Sequence, residues 1–309
     1  MAESDGIGTI HFAENLDVLR NLTSASVDLI YIDPPFNTGK VQQRTQLRTH
    51  RSDVGDRVGF QGRRYESIVV GTKRFSDLFD DYLVFLEPRL TEAHRVLASH
   101  GCLYFHVDYR EVHYCKILLD IIFGRDSFLN EIIWAYDYGG RPKTKWPPKH
   151  DNILLYAKDP ANYIFNTYQI ERIPYMAPGL VGPEKAARGK LPTDTWWHTI
   201  VPTNGSEKTG YPTQKPIGIL RRMVEASSRP GSVVLDFFAG SGTTGAACFA
   251  LGRRFILVDN NREALEVMAR RFDGLAGIRW IGFDPGAHQT CQKQVSPPLN
   301  THAADGIAA

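Results

Sequence analysis

Apolar positions along this chain follow two periods, and the switch between them outlines the elements. Runs of β-branched and aromatic residues that stop at Asp, Pro or Gly read as buried strands. They are Asp28 to Asp33, Gly101 to Val107, Glu131 to Tyr136, Asn152 to Ala157, Val233 to Asp236 and Phe255 to Asp259. Helical spacing appears between them. Leu78, Phe79, Tyr82, Leu83, Leu86, Leu90, Ala93 and Leu97 mark one face of a long helix interrupted near Pro88. Further helices are expected over Tyr109 to Phe123, Ile217 to Ser227, from Thr243, and over Arg262 to Arg271, and a short strand–helix signal spans Thr9 to Leu19. Strand–helix alternation at both ends of the chain predicts an α/β fold, a Rossmann-like and mostly parallel sheet with helices on both faces.

Two stretches carry no period. Residues 40–74 hold nine Lys/Arg against three Asp/Glu and few apolar side chains. They read as a long mobile loop with a short hairpin near Arg64 to Val70. Residues 158–210 are rich in Pro, Gly and Trp, and with the basic linker "GGRPKTKWPPKH" they suggest an insertion over about 137–210. Past Asp284 the composition is that of a disordered tail, so the expected division is a domain over 1–284 and a tail over 285–309.

Composition narrows the class without naming it. A net charge of +2 on 309 residues identifies no partner, so any basic surface must be local. Cys102, Cys115, Cys248 and Cys291 are scattered, with neither a C-x-x-C pair nor a histidine cluster. Idle thiols in a reducing compartment are expected rather than disulfides or a metal site. No signal-peptide pattern opens the chain, and no apolar run approaches the ~20 residues that span a bilayer. The expectation is a cytoplasmic protein with no membrane partner.

Candidate chemistry gathers at two strand ends. The strand in "DLIYIDPPFNTG" delivers a carboxylate, two prolines and an aromatic ring to one point. The strand in "GSVVLDFFAGSGTTG" runs into a glycine turn and a helix, where the backbone can approach a ligand and helix N–H groups are free. Gly240-x-Gly242-x-x-Gly245 satisfies the dinucleotide fingerprint, and Asp259 follows at about the twenty-residue distance of a ribose-binding acid. A nicotinamide-dependent oxidoreductase is therefore one reading. Too few residues follow Gly245 to complete a six-stranded nucleotide domain, however. The partner strands must come from the N-terminal half, which makes the sheet circularly permuted and brings the "DPPF" strand beside the glycine strand. No lysine follows the glycines, which disfavours a triphosphate. S-adenosyl-methionine suits the same site, with its ribose on Asp259, its methionine end across the glycine turn and its methyl toward Asp33.

The order of "DPPF", "YPTQKP" and "FAGSGTT" resembles that of the β group of DNA amino-methyltransferases, and the likeness runs from about His11 to Arg271. It implies a circularly permuted methyltransferase topology and a site-specific enzyme that methylates the exocyclic nitrogen of a flipped base. Adenine N6 is the implied target, because cytosine-N4 enzymes, the alternative, more often carry Ser at the position of Asp33. By matched position, Asp33, Pro34, Pro35 and Phe36 form the catalytic motif. Asp33 holds the amino group, the Pro34 carbonyl takes its second hydrogen, and the Phe36 ring stacks on the base. Asp236, Phe238, Ala239, Gly240, Ser241, Gly242, Thr243 and Asp259 bind S-adenosyl-methionine, and Thr213, Gln214, Lys215 and Pro216 close over its methionine end. Glu14 stands where relatives have Asp and is given a supporting role near cofactor or base.

The resemblance implies double-stranded DNA as partner, and it allows a homodimer and a cognate restriction enzyme. Phosphate contacts need local positive charge. Arg44, Arg48, Arg51, Arg57, Arg63 and Arg64 supply one cluster; Arg141, Lys143, Lys145 and Lys149 supply another. A charge run is more often a solvated face, but the first cluster follows the catalytic motif directly. His106 and Asp108, at a strand end, read as structural or substrate-side groups, Trp196 and Trp197 as packing, and Gly139 and Gly140 as a turn. A catalytically idle DNA-binding relative is disfavoured because acid, prolines and ring are all present.

Overall fold

The computed structural model describes residues 6–36, 40–51, 57–58, 64–77, 81–202 and 204–286, with the backbone alone between 40 and 77. The N-terminal half contributes β1 (Gly8–Phe12), α1 (Asn15–Asn21), β2 (Val27–Ile32), β3 (Lys40–Arg51), β4 (Arg57–Val58), β5 (Arg64–Asp77), α2 (Tyr82–Val96), β6 (Leu97–Asp108) and α3 (Val112–Phe123). Then come β7 (Phe128–Ala135), β8 (His150–Ala157), α4 (Pro183–Arg188), β9 (Thr195–Trp197), α5 (Ile217–Ser227), β10 (Val233–Asp236), α6 (Thr243–Ala250), β11 (Arg254–Asp259), α7 (Arg262–Arg271) and β12 (Ile278–Ile281).

Nine of these strands form one sheet in the order β12-β1-β11-β10-β2-β6-β8-β7-β9. It is parallel from β12 to β6, and β8 is antiparallel to both β6 and β7. Helices α1, α2 and α3 bury Leu19, Leu86, Leu90 and Leu119 against one face. Helices α5, α6 and α7 bury Leu220, Met223, Ala247 and Leu265 against the other. Covering both faces is why β2 reads as an unbroken apolar run instead of an alternating one. The glycine strand β10 pairs with β2 through Val234↔Leu29 and Leu235↔Ile30, although some two hundred residues separate them in sequence. The permuted arrangement expected from the sequence is the one observed.

Several elements differ from the sequence expectation. The sequence predicts mainly a loop over 40–74, but the backbone forms an antiparallel sheet in the order β3-β5-β4, with Lys40 opposite Asp77 and Arg51 opposite Tyr65. Its residues are mostly polar, so no apolar period marks it. Helix α2 continues through Pro88. The carbonyl that would take the missing N–H is that of Val84, on the solvent side of the helix, and the Asp81 carboxylate caps the start by accepting from Val84 N at 3.1 Å. Leu78 and Phe79, expected in that helix, lie outside the described residues.

The expected insertion over 137–210 contains β8, which sits inside the main sheet between β6 and β7. The irregular chain is therefore divided between 136–149 and 158–194. Strands β9 and β12 sit at the two edges and were not legible as strands. Alternation along β9 buries Trp196 and leaves Trp197 77% exposed, so packing describes only the first of the pair. Among the described residues no helix is long and apolar enough to cross a membrane. Arg63 and the tail from residue 287 lie outside them, as does Cys291.

Candidate active site

The crevice lies at the carboxyl ends of β2, β10 and β11, where the chain leaves the sheet in opposite directions. Strand β10 ends at Asp236, which is buried and bonded twice. Its Oδ2 accepts from Thr244 Oγ1 at 2.5 Å and its Oδ1 from Phe238 N at 3.1 Å. Burial pushes its carboxyl up to about 7, against the opposing effect of those two donors. Asp236 therefore braces the glycine turn from below. In the turn, Gly240 (φ +52°) and Gly242 (φ +72°) occupy the left-handed region that glycine alone enters readily. Gly245 serves packing, since a Cβ there would lie 2.8 Å from Leu257 Cδ1.

Asp259 ends the neighbouring strand β11 and ties the turn to it. Its Oδ2 accepts from Gly240 N at 2.7 Å and its Oδ1 from Asn261 N at 2.8 Å. Burial raises this carboxyl to about 6, partly opposed by the backbone donors. The Asn260 N–H also faces the carboxylate, which leaves part of its acceptor capacity open. Glu14 lies on the same side, ion-paired with Arg89 and accepting from Asn260 Nδ2 at 3.0 Å. The adjacent Asn15, which sequence reading passed over, donates to the Phe237 carbonyl at 3.0 Å and so fixes the start of the turn. Ala239 is buried, Phe238 half-buried, and the buried Ser241 and Thr243 hydroxyls bond each other at 3.0 Å.

The "YPTQKP" segment divides its labour differently from expectation. The resemblance assigns Gln214 to the cofactor, yet its Oε1 accepts from Thr209 N and Oγ1, both at 2.8 Å, and its Nε2 donates to the Glu207 carbonyl at 2.7 Å. It knots the loop. Thr213 is exposed and Pro216 is buried ahead of α5. Tyr211 covers the glycine turn instead: a Cβ on Gly240 would meet its ring at 3.1 Å. Lys215 points the other way, with its ammonium paired to Asp33 Oδ2 and 4.9 Å from the centre of the Phe36 ring.

Asp33 follows β2 by one residue, and alternation along that strand puts Leu29, Tyr31 and Asp33 on one face. Its Oδ1 is buried and has no hydrogen-bond partner among the described residues. Pro34 is buried, and Pro35 and Phe36 are half-buried beside it. Acid, ring and lysine thus meet at one end of the crevice, and the glycine turn with Asp259 forms the other.

The second basic cluster is only partly available. Arg141, Lys143 and Lys145 are exposed, but Lys149 donates to the carbonyls of Tyr138, Gly139 and Gly140 at 2.8, 2.6 and 3.1 Å. It closes a turn in which Gly139 has φ +99°, so its assignment to phosphate gives way to a structural one. Arg44, Arg48, Arg51 and Arg64 lie on β3 and β5, and Arg57 on β4. Cys102, Cys115 and Cys248 are buried, and burial raises all three thiols, the first two to about 12. None is a nucleophile at neutral pH.

A family model described as DNA methylase matches residues 27–270. Type II methyltransferase M.HpaI of Haemophilus parainfluenzae is 31% identical over 286 residues, covering 92% of this chain and 79% of that protein. DNA adenine methyltransferase YhdJ of Escherichia coli K12 is 31% identical over 273 residues, with 86% and 82% covered. Among solved structures, the M1.HpyAVI–SAM complex superimposes with a TM-score of 0.54 at 20% identity, covering 86% of this chain and 99% of that one. The cytosine-N4-specific PvuII DNA methyltransferase does so at 0.59 and 13% identity, with 93% and 92% covered. At these identities the two structures speak for the fold alone.

Proposed function

The chain belongs to the DNA methylase family, and on that premise we propose that it transfers a methyl group from S-adenosyl-methionine to N6 of adenine at a specific site in double-stranded DNA. The observation that carries this reading is the buried, unpartnered Asp33 Oδ1, one strand away from a glycine turn braced by Asp236 and Asp259. The residues present suit the cofactor: two left-handed glycines, Gly240 of them under the Tyr211 ring, for its methionine end, and the Asp259 carboxylate for ribose hydroxyls. When bound, it supplies an electrophilic methyl on a sulfonium.

The protein's own part is positioning and polarisation. The lone pair of an exocyclic amino group is delocalised into the ring and is a poor nucleophile. Asp33 Oδ1 accepts one amino hydrogen and the Pro34 carbonyl the other. Both bonds favour a pyramidal nitrogen with its lone pair available for in-line attack. The half-buried Phe36 ring offers a face to a base rotated out of the duplex, where stacking returns ~1–3 kcal/mol of the unstacking cost. No covalent enzyme intermediate is needed, in keeping with the inert thiols. The type II relative supports a restriction enzyme sharing the recognition site.

The test is to express the protein in a methylation-deficient host and sequence the DNA by a method that reports the modified base and its context. N6-methyladenine at one recurrent sequence is expected; N4-methylcytosine would overturn the base assignment, and unmodified DNA the activity. A second expectation concerns pH. Asp259 accepts ribose hydroxyls as a carboxylate, and its raised value of about 6 means that protonation begins just below neutrality. Cofactor affinity measured by calorimetry should be level above pH 7 and fall toward pH 5 by up to about tenfold per unit. In Asp259→Asn that slope should disappear.

A further inference from the structure

Beneath Asp33, a row of polar side chains crosses four neighbouring strands on one face of the sheet. Strand alternation continues Tyr31 to Asp33, Tyr104 to His106, Ile153 to Asp151 and Trp134 to Tyr136. Every one of these strands is apolar farther in, so the polar row marks the crevice end of the face. His106, fully buried, stands at its centre. Tyr31 Oη lies 2.9 Å from its Nδ1, and Asp151 Oδ2 lies 3.3 Å from its Nε2. The second Asp151 oxygen accepts from Tyr136 Oη at 3.2 Å. The imidazole also meets the Trp134 ring edge-on at 5.6 Å and the Phe36 ring at 5.9 Å between centroids. Its Nδ1 is 3.9 Å from Asp33 Oδ1, the oxygen without a partner.

For the neutral ring these contacts select one tautomer. An ionised carboxylate only accepts hydrogen bonds, so Asp151 requires the proton on Nε2. Nδ1 then carries the lone pair and accepts from the Tyr31 hydroxyl. Burial and nearby carboxylates raise that phenol well above its ordinary range, so it remains a donor. With Nδ1 occupied as an acceptor, the nearest ring nitrogen has no hydrogen to give to Asp33 Oδ1.

We propose that His106 is a positioning residue for methyl transfer, locked by Asp151 and Tyr31 in the Nε2–H tautomer so that Asp33 Oδ1 is left to the amino group of the base. The same ring backs Phe36 and holds its stacking face in place. This inference rests on the methyltransferase reading. Losing the Tyr31 hydroxyl frees Nδ1 to take a second proton from solvent, while Asp151 keeps the one on Nε2, so that Nδ1 turns donor and occupies the Asp33 oxygen, although that hydroxyl itself never reaches the base.

Nitrogen-15 spectra of histidine-labelled enzyme test the lock directly, with His106→Asn identifying the resonance. Wild type should show the lone pair on Nδ1 and the proton on Nε2. In Tyr31→Phe the signal should move toward the imidazolium, with protons on both ring nitrogens. Single-turnover transfer of tritiated methyl to plasmid DNA from a methylation-deficient host should fall roughly tenfold in Tyr31→Phe and further in His106→Asn. Cofactor affinity and melting temperature should stay near wild type in Tyr31→Phe. A wild-type proton on Nδ1 would overturn the proposal, as would an unchanged turnover rate in Tyr31→Phe. Parallel loss of activity, affinity and melting temperature in that variant would show a merely structural role and also overturn it. The spectrum is read on the free enzyme, so failure of the base assignment and failure of the lock are distinguishable.

Discussion

Asp33→Ala should lower single-turnover methyl transfer on the order of 10³-fold, about 4 kcal/mol of transition-state stabilisation. Cofactor affinity should stay within about tenfold, ~1.4 kcal/mol. The separation follows from the geometry. Asp33 lies across the crevice from the glycine turn, and its unpartnered Oδ1 makes no contact that binding of the cofactor's ribose would use. Its other oxygen holds the Lys215 ammonium, so alanine also frees a cation beside Phe36. Asn in its place keeps an acceptor oxygen but loses the charge and should recover only part of the rate. Rapid-quench transfer assays and calorimetry on the same preparations check both halves. Near-normal transfer in Asp33→Ala would remove the acid from the mechanism.

The second large effect is expected at Gly242, where conformation and space act together. At φ +72° an L side chain costs ~1–2 kcal/mol. A Cβ there would also stand 2.7 Å from Met268 Cγ and 3.1 Å from Phe272 Cε2, so α7 or its side chains must shift. Overpacking of that kind costs ~1–3 kcal/mol. Gly242→Val should therefore lose about 2–5 kcal/mol of stability in denaturant titrations and weaken cofactor binding by distorting the turn. Gly231 provides the control, because it has φ +81° but a Cβ there would meet no atom within 4 Å. Gly231→Val should show the conformational cost alone. Equal losses at the two sites would mean that close approach of α7 is not what requires glycine at 242.

Much of this architecture was legible from residues. Helices α5 and α7 and strand β10 fall where the apolar period places them, because each buries a face wide enough to leave a signal. The pairing of β2 with β10 followed from counting how little chain remains after Gly245. Strands β9 and β12 left no such signal: four residues or fewer at a sheet edge need only one neighbour, and although their burial alternates their residue types do not. The sheet of β3, β5 and β4 escaped because its residues are mostly polar and leave no apolar period.

Site residues divide along the same line. "DPPF", the glycine turn and Asp259 are local devices, each a short string whose chemistry depends on backbone shape and side-chain type within a few positions. The sequence by itself therefore determined the fold class and the two strand ends at which the candidate site residues gather, Asp33 at one and the glycine turn at the other. Which partner each polar group takes is a long-range matter. Gln214 turned out to knot a loop, Lys149 to close a turn, Lys215 to pair with Asp33, and Tyr211 to cover Gly240. His106 meets Asp151 and Tyr31 only because β2, β6 and β8 lie side by side in register. A hydrogen bond is decided by ångströms between strands that the chain reaches tens of residues apart, and only the folded sheet supplies that distance.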